Sequence, residues 1–263
     1  MTLTAKDLDD LRYARTLLEH PSLAARMTGM LGAPIEKGLM LLPANLSGAL
    51  STATRVALTR ALDVAVVTMD DRGLRPAANR LHKLTLAATG AVGGAFGLSA
   101  LAIELPLSTM VMLRSIADIG RSEGEQIQSV ETRLACLEVF ALGGRLQSDD
   151  AGELGYFAVR TALARAMAEA AQFIAERGVA REGAPVLVKL VAQIAARFEV
   201  VVSEKAAAQA LPLIGAAGGA IVNLLFIDHF QDMARGHFIV RRLERAWGAE
   251  EVRKAYQLLA PPS

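Results

Sequence analysis

The chain is poor in cysteine, in aromatic residues and in net charge, and each shortage excludes something. Cys136 is the one cysteine among 263 residues, so an intramolecular disulfide is excluded and a reducing compartment is expected. Aromatic residues make up 5% of the chain, and aromatic and β-branched residues are the ones that favour strands. The net charge of +1 gives no general attraction for nucleic acid. We therefore expect a helical fold and no nucleic-acid partner.

The N-terminal residues also lack the pattern of a secretory signal. They read MTLTAKDLDDLRYAR, which is polar and acidic early on, with no basic segment followed by an apolar one. With the single cysteine, this predicts a cytoplasmic location.

What the sequence has in abundance is apolar residues, chiefly alanine and leucine. The hydrophobic fraction is 52% and the mean hydropathy is +0.33. Two segments, 84–103 and 206–227, carry no charge and contain several glycines. Each is long enough to cross a bilayer as a helix, or to lie at the centre of a helical domain. Pro212 and the glycines weaken a continuous spanning helix, so we expect both segments inside one bundle.

The glycines of the first uncharged segment show a spacing that brings helices close together. The pairs Gly90/Gly94 and Gly93/Gly97 follow the GxxxG pattern, which lets two helix backbones touch. We expect the two uncharged segments to pair, glycine face to glycine face. The same glycines do not form a phosphate loop, because GAVGGAFG lacks the following Lys-Ser/Thr and has no strand before it.

Apolar residues recur at spacings of three and four along most of the chain, which is typical of helices. No alternating run with hairpin turns is present. The sequence predicts an all-α fold, a single multi-helix bundle with the two Gly-rich apolar segments at its centre. The expected helices are 6–19 with Thr4 as N-cap, 22–31, 45–69, 79–88, 106–121, 130–142, 154–177, one from Pro185, 228–246 and 250–259, with a loop at 40–45. In 154–177 the expected core stripe is Phe157, Ala164, Met167, Ala171 and Ile174.

Three blocks of the sequence resemble the EcsC family. They are TGAVGGAFGLSALAIELPLSTMVMLRSIADI at 89–119, LACLEVFALGG at 134–144, and LPLIGAAGGAIVNLLFIDHFQDMARGHFIVRRLE at 211–244. The third block fits the family's P-x-x-G-A-x-x-G-A-x-x-N element, and the three come in family order. The resemblance implies a helical bacterial protein with a domain at 45–263 and an N-terminal helical extension at 1–44. No established enzymatic activity or cofactor can be carried over from this resemblance. The family's name comes from a bacterial operon that also encodes an ABC transporter.

Glu104 is the most interesting polar residue, because it follows the first uncharged segment and precedes Leu105 and Pro106. A buried carboxylate is costly unless it is paired or protonated. The favoured interpretation is that Glu104 caps a helix beginning at Pro106, where the helix dipole favours negative charge. A ligand-contacting or proton-carrying role is one alternative, and simple exposure to solvent is the other. Arg114 and Arg133 are its candidate partners.

Asn223 lies within the second uncharged segment, where its amide can form hydrogen bonds in apolar surroundings. The favoured interpretation is a structural polar clamp onto backbone opened by Pro212 or by the glycines of the first segment. Contact with a polar lipid head or a small ligand is the alternative. Glu104, Arg114 and Asn223 are thus the candidate ligand-binding residues, and no catalytic residue is assigned.

The remaining polar residues do not predict a site. His229 and Asp232 have the spacing of metal ligands on a helix, but His237 is two turns away, so no metal site is expected. His20 and His82 lie elsewhere. A solvated or partly packed face is expected for the histidines, and an inert core thiol for Cys136. A basic cluster in the C-terminal helix is interpreted as a solvated face rather than a lipid-binding one: Arg235, Arg241, Arg242 and Arg245.

Three function classes remain. The first is a non-enzymatic accessory protein that is peripheral at the inner membrane, linked to transport or binding lipid, with membrane lipid or a membrane protein as partner. The second is a soluble helical module that binds a small hydrophobic ligand or lipid between its helices. The third is an enzyme that uses Glu104. An enzyme requires a solvent-connected cleft at that carboxylate.

Overall fold

The computed structural model describes residues 3–19, 23–32, 34–43, 46–68, 98–144, 155–177, 184–211 and 216–259. These residues form helices and contain no strand, which confirms the all-α prediction. In chain order the helices are α1 Ala5–Glu19, α2 Leu23–Leu31, α3 Ile35–Leu41, α4 Leu46–Thr68, α5 Leu98–Ser122, α6 Val130–Leu142, α7 Gly155–Arg177, α8 Pro185–Ala210, α9 Ala216–Trp247 and α10 Ala249–Leu258.

Local sequence signals explain where several helices begin and end. The Thr4 hydroxyl accepts a hydrogen bond from the Asp7 backbone N–H at 3.2 Å, which confirms Thr4 as the N-cap of α1. Ser129 caps α6 in the same way, by accepting from the Thr132 N–H at 3.1 Å. Pro185 occupies the first turn of α8, where its missing N–H costs nothing. Gly248 has φ of 88°, a conformation that favours glycine, and it separates α9 from α10.

Helices α8 and α9 run through the middle of the bundle and contact most of the other helices. A group of phenylalanines joins them to α6. Phe140 lies 5.0 Å from Phe198 and 5.4 Å from Phe230, measured between ring centroids. Phe226 lies 5.2 Å from Phe230. The tilted and edge-on arrangements are the favourable ones for aromatic pairs, and these rings form the core's centre.

The start of α5 differs from the prediction. The sequence predicted a helix from Pro106, whereas α5 begins at Leu98 and contains Pro106 in its interior. A proline inside a helix removes one hydrogen bond and tends to bend the helix. Leu105 and Pro106 are nevertheless buried, although Leu107 is exposed. Ser108 and Thr109 both donate to the Leu105 carbonyl. Tertiary packing therefore outweighs the local signal, and Glu104 lies within α5 rather than capping a helix.

A second difference concerns the predicted loop at 40–45, because α3 continues to Leu41. This short helix lies against α8 at Gly38, where a Cβ atom would overlap the carbonyl oxygen of Ala207. Glycine at position 38 thus permits a close helix–helix approach.

The buried face of α7 is also displaced from the predicted stripe. Phe157 and Ile174 are buried as predicted, and Met167 and Ala171 are half-buried and pack against the core. Ala164 is exposed, and the remaining buried positions of this face are Leu163, Ala166 and Ala170. Alanine occurs all around α7, so the apolar periodicity does not single out one face.

The N-terminal helices lie on the rest of the bundle. Helix α1 packs against α9 at Gly236, which faces the Leu18 side chain and the Ala14 carbonyl. The division into an extension at 1–44 and a domain at 45–263 stays a prediction. The predicted helix 79–88 and the GxxxG glycines lie outside the described residues, as do His20 and His82.

Candidate functional site

The two polar residues predicted beside the uncharged segments meet inside the bundle, together with a lysine. Glu104 of α5 accepts a hydrogen bond from Lys205 Nζ of α8 at 2.7 Å and from Asn223 Nδ2 of α9 at 2.8 Å. All three side chains are buried, and Lys205 is 0% exposed. Lys205 Nζ also lies 4.7 Å from the centroid of the Phe226 ring. We call these residues, Glu104, Lys205 and Asn223, the buried polar cluster.

The electrostatics of the buried polar cluster are those of a structural ion pair. Burial lowers the pKa of the Lys205 ammonium, and the Glu104 carboxylate opposes that shift. Glu104 is 7% exposed, so it does not face the open cleft that an enzymatic role would require. Its Oε2 atom has no hydrogen-bond partner among the described residues.

The structure separates the third predicted residue from this cluster. Arg114 is exposed, ten residues further along α5, and does not reach Glu104. Arg133 donates its Nε–H to the Ile127 carbonyl at 2.9 Å. The Asn223 amide donates to the Glu104 side chain. The backbone partners that the sequence suggested, beside Pro212 and at the glycines of the first segment, lie outside the described residues. Lys205 was missed, although it immediately precedes the second uncharged segment as Glu104 immediately follows the first.

The two histidines of α9 are buried rather than solvated, which corrects the prediction. His229 donates its Nε2–H to the Gly143 carbonyl at 3.1 Å, and burial lowers its pKa to about 4. Asp232 forms an ion pair with Arg26 of α2 at 3.1 Å. In the described part of the chain, no group of three or more His, Cys, Asp or Glu side chains is placed to hold a metal ion. Cys136 is buried and its pKa is raised to about 12 by burial, as expected of an inert thiol.

Three of the four basic residues predicted to form a solvated face, Arg241, Arg242 and Arg245, form ion pairs while staying partly or largely exposed. Arg241 donates to Glu125 at 2.9 Å, and Arg245 donates to the same carboxylate. Burial alone would raise the pKa of Glu125, but these two arginines and Thr132 hold it below its usual value. Arg242 contacts Glu123 at 2.8 Å and Asp10 at 2.9 Å.

An open groove of about 410 Å³ lies between α6, α7, α9 and α10. One wall is apolar, and its residues come mostly from α7: Leu134, Phe157, Ala164, Met167, Ala168 and Ala171. Three of these, Ala164, Met167 and Ala171, were predicted to fill the core. Met167 and Ala171 are half-buried, and they pack against the core as well as lining the groove, whereas Ala164 is exposed in the groove. We call this cavity the α7 groove.

A chain of polar side chains joins Glu138 and Arg160 of the α7 groove to the buried residues Tyr156 and His237. Glu138 lines the groove and is 6% exposed. Its Oε2 atom is 3.7 Å from His237 Nε2. His237 Nδ1 lies 3.0 Å from the Tyr156 hydroxyl, and Arg160 donates to that hydroxyl at 3.3 Å while binding both carboxylate oxygens of Glu244. Burial raises the pKa of Glu138, and Arg160 and Arg241 oppose that shift.

Apolar side chains are exposed on α3. Leu39, Met40 and Leu41 are consecutive, and Met40 is 84% exposed. Met30, at the end of the adjoining α2, is also exposed. Across the described ranges, none of the helices combines the length and apolar character needed to span a membrane.

Comparison with known proteins places the chain in a family. The family model described as EcsC protein family matches residues 46–243, which is well over half of the chain. This confirms the resemblance of the three sequence blocks. Searches of curated proteins and of solved structures gave no match.

Proposed function

The chain belongs to the EcsC protein family, and we propose that it is a non-enzymatic accessory protein that binds the surface of the inner membrane from the cytoplasm. The observation that carries this proposal is the exposed apolar end of α3. Transfer of Leu39, Met40 and Leu41 out of water would stabilise a membrane-bound state by about 1.5–3 kcal/mol for each fully buried side chain. The lipid partner would contact these residues first.

The position of α3 supports the proposal. Ile35 and Gly38 are buried against the bundle, and the Gly38 contact with the Ala207 backbone fixes which face of α3 points inward. Leu39, Met40 and Leu41 therefore cannot turn inward without losing that contact.

Sedimentation with vesicles of phosphatidylethanolamine and phosphatidylglycerol tests this proposal. The double variant Met40→Ser/Leu41→Ser should lose binding, whereas Leu258→Ser should bind as the wild type does. Leu258 is a matched control because it is 87% exposed on α10. Carbonate should release the wild-type protein from cell membranes. Failure of the wild type to sediment, or equal binding of all three proteins, would overturn the proposal.

The α7 groove favours a second candidate function, which is binding of a small apolar ligand between helices. Its volume is that of a small-molecule site, and its α7 wall is mostly apolar. Much of the rest of its lining is charged and includes Glu131, Glu250 and Arg253. An environment-sensitive apolar dye should bind the wild type and Ala162→Trp but not Ala168→Trp. Both alanines are exposed on α7, but Ala168 lines the groove and Ala162 does not. Dye binding to Ala168→Trp at wild-type affinity would exclude the groove.

The enzyme hypothesis receives no support from the surroundings of Glu104. Its Oε1 atom is held by Lys205 and Asn223, and the carboxylate lies within the bundle.

A further inference from the structure

We propose that Met30 and Met40 form a modification site, at which a peroxide oxidises both thioethers to sulfoxides, and that this oxidation releases the protein from the membrane surface. The release rests on the proposed membrane-binding function, because it regulates the same surface. The choice of these two methionines rests on their exposure, and it can be tested without a membrane.

The methionines of the described part of the chain differ widely in exposure. Met30 is 63% exposed and Met40 is 84% exposed, so a dissolved oxidant reaches both side chains. Met110 and Met167 are half-buried. Three methionines belong to the core and are at most 4% exposed: Met27, Met112 and Met233. Susceptibility to oxidation follows exposure, so Met30 and Met40 should react first.

Both exposed methionines lie on the surface assigned to the membrane. Met40 is the middle residue of the exposed apolar segment 39–41, and Met30 lies in the last turn of α2. The Ile35 N–H donates to the Thr28 hydroxyl at 3.3 Å, which joins the beginning of α3 to the end of α2. Oxidation at these two positions therefore changes the surface that would meet lipid and leaves the core methionines as they are.

The reaction at each methionine is the transfer of one oxygen atom from hydrogen peroxide. The lone pair of the sulfur attacks one peroxide oxygen, and the S–O bond forms as the O–O bond breaks. The proton of the transferred oxygen passes to the departing hydroxide, which leaves as water. The sulfur loses two electrons and the peroxide gains them. Methionine sulfoxide reductases, one for each epimer of the sulfoxide, reverse the change.

The thiol of the chain does not compete for the peroxide. Cys136 is the one cysteine in the sequence, and it is 0% exposed. Burial raises the pKa of its thiol to about 12, and the thiolate is the form that reacts. Peroxide should therefore modify the two exposed methionines while Cys136 stays reduced.

A sulfoxide at position 40 would oppose entry of α3 into lipid. Oxidation turns a flexible apolar side chain into a polar one, and a polar group without a hydrogen-bond partner is costly to bury in an apolar medium. Leu39 and Leu41 flank Met40 in the sequence, so they would carry the sulfoxide with them into the bilayer. We expect oxidation to weaken membrane binding by about tenfold or more, from the loss of one buried methionine side chain.

Peptide mass spectrometry after brief treatment with hydrogen peroxide tests the choice of sites. We expect Met30 and Met40 to gain an oxygen atom before the core methionines Met112 and Met233 do, while the circular dichroism of the protein stays the same. Oxidation of any other described methionine at an equal or higher rate would overturn the assignment.

Sedimentation with vesicles of phosphatidylethanolamine and phosphatidylglycerol tests the release. The wild type should bind before oxidation, bind more weakly after it, and recover when the two reductases act on it. The matched control is Met30→Leu/Met40→Leu, because leucine has a similar size and is apolar but has no sulfur. This variant should bind equally well with and without peroxide. If peroxide also weakens its binding, other methionines are responsible and the assignment to Met30 and Met40 is wrong.

Failure of the proposed membrane-binding function would look different from failure of this inference. If neither the untreated wild type nor the leucine variant sediments with vesicles, membrane binding itself is refuted, and the release with it. If both sediment and oxidation of Met30 and Met40 leaves the wild type bound as before, only the release is overturned.

Discussion

Lys205 is a fully buried lysine whose charge is compensated inside the bundle. Its ammonium group is enclosed by α5, α8 and α9, with Glu104 as its charge partner and the Phe226 ring on one side. The desolvation of a buried ion pair offsets most of its attraction, so the intact pair adds little to stability. Removing one partner is different, because the other is left as an uncompensated charge.

We predict that Lys205→Met lowers the free energy of unfolding by about 3–5 kcal/mol, because Glu104 is then buried without its counter-charge. The double variant Lys205→Met/Glu104→Gln should recover most of that loss, since no charge remains. Lys189→Met is the matched control, because Lys189 is half-exposed on the same helix, and its change should stay below about 1 kcal/mol. Urea denaturation measures all three. Equal losses in the single and double variants would contradict the ion-pair account.

Glu204 provides a prediction about pH. Its Oε2 atom accepts a hydrogen bond from the Ala24 N–H at the start of α2, at 3.1 Å. Burial raises its pKa from 4.5 to about 7, against the effect of that hydrogen bond and with a smaller contribution from Glu36. A carboxyl whose pKa is higher in the folded than in the unfolded state stabilises the fold at low pH. That stability is lost as the pH rises from about 4.5 to about 7.

Glu204→Gln should remove this dependence, because its amide oxygen can still accept from Ala24 but carries no charge. We expect the variant and the wild type to be similarly stable at pH 4.5. At pH 8 the variant should be more stable, by on the order of 3 kcal/mol, at about 1.4 kcal/mol for each pH unit of that window. Urea denaturation at the two pH values measures the difference, with Glu176→Gln, exposed on α7, as control. A difference that is the same at both pH values would refute the assignment.

The sequence was sufficient to find Glu104 and Asn223 but not the lysine that joins them. A polar residue within or beside an uncharged segment is conspicuous, because its burial requires a partner. Lys205 lies in a helix with charges of both signs, so composition gives no reason to bury it. Which charge faces the core depends on how α8 packs, and that is a tertiary property.

At the scale of helices, local signals predicted boundaries well where caps and breakers are present. Thr4 and Gly248 mark the ends of α1 and α9, and α6 has the predicted bounds of 130–142. The predictions failed at α3, which extends to Leu41 into the predicted loop at 40–45, and at the start of α5, where contacts with other helices outweigh Pro106. The sequence did not predict the α7 groove either, because the direction in which a helix face points also depends on tertiary packing. An apolar residue on an alanine-rich helix can equally face the core or line a cavity.

Gly38 offers a test at this scale. Gly38→Ala should displace α3, because the added Cβ would overlap the Ala207 carbonyl oxygen, at a cost of about 1–3 kcal/mol. Hydrogen exchange followed by mass spectrometry should show weaker protection of residues 35–41. Gly48→Ala on α4 is the control, because a Cβ there meets nothing within 4 Å. Unchanged protection of α3 in Gly38→Ala would show that the contact is not required.

At the scale of the whole molecule, the first and last helices are joined. Arg15 of α1 donates to the carbonyl oxygens of Tyr256 at 3.0 Å and Leu259 at 2.5 Å, and Arg242 of α9 contacts Asp10 of α1. The apolar face of α1 is buried, with Leu11 at 0% exposure. Helix α1 of the predicted N-terminal extension is thus packed against helices of the predicted domain.

We therefore predict that the extension and the domain unfold together. Leu11→Ala should lower the free energy of unfolding of the entire chain by about 2–5 kcal/mol, because it leaves a cavity between α1 and α9. Tyr13→Ala, at a half-exposed position of the same helix, should cost much less. Denaturant titration monitored by far-ultraviolet circular dichroism should show one transition that shifts as a whole, since all helices contribute to that signal. If only a small first fraction of the signal shifts in Leu11→Ala, while the main transition stays at its wild-type midpoint, then α1 unfolds separately and residues 45–263 form an independent domain.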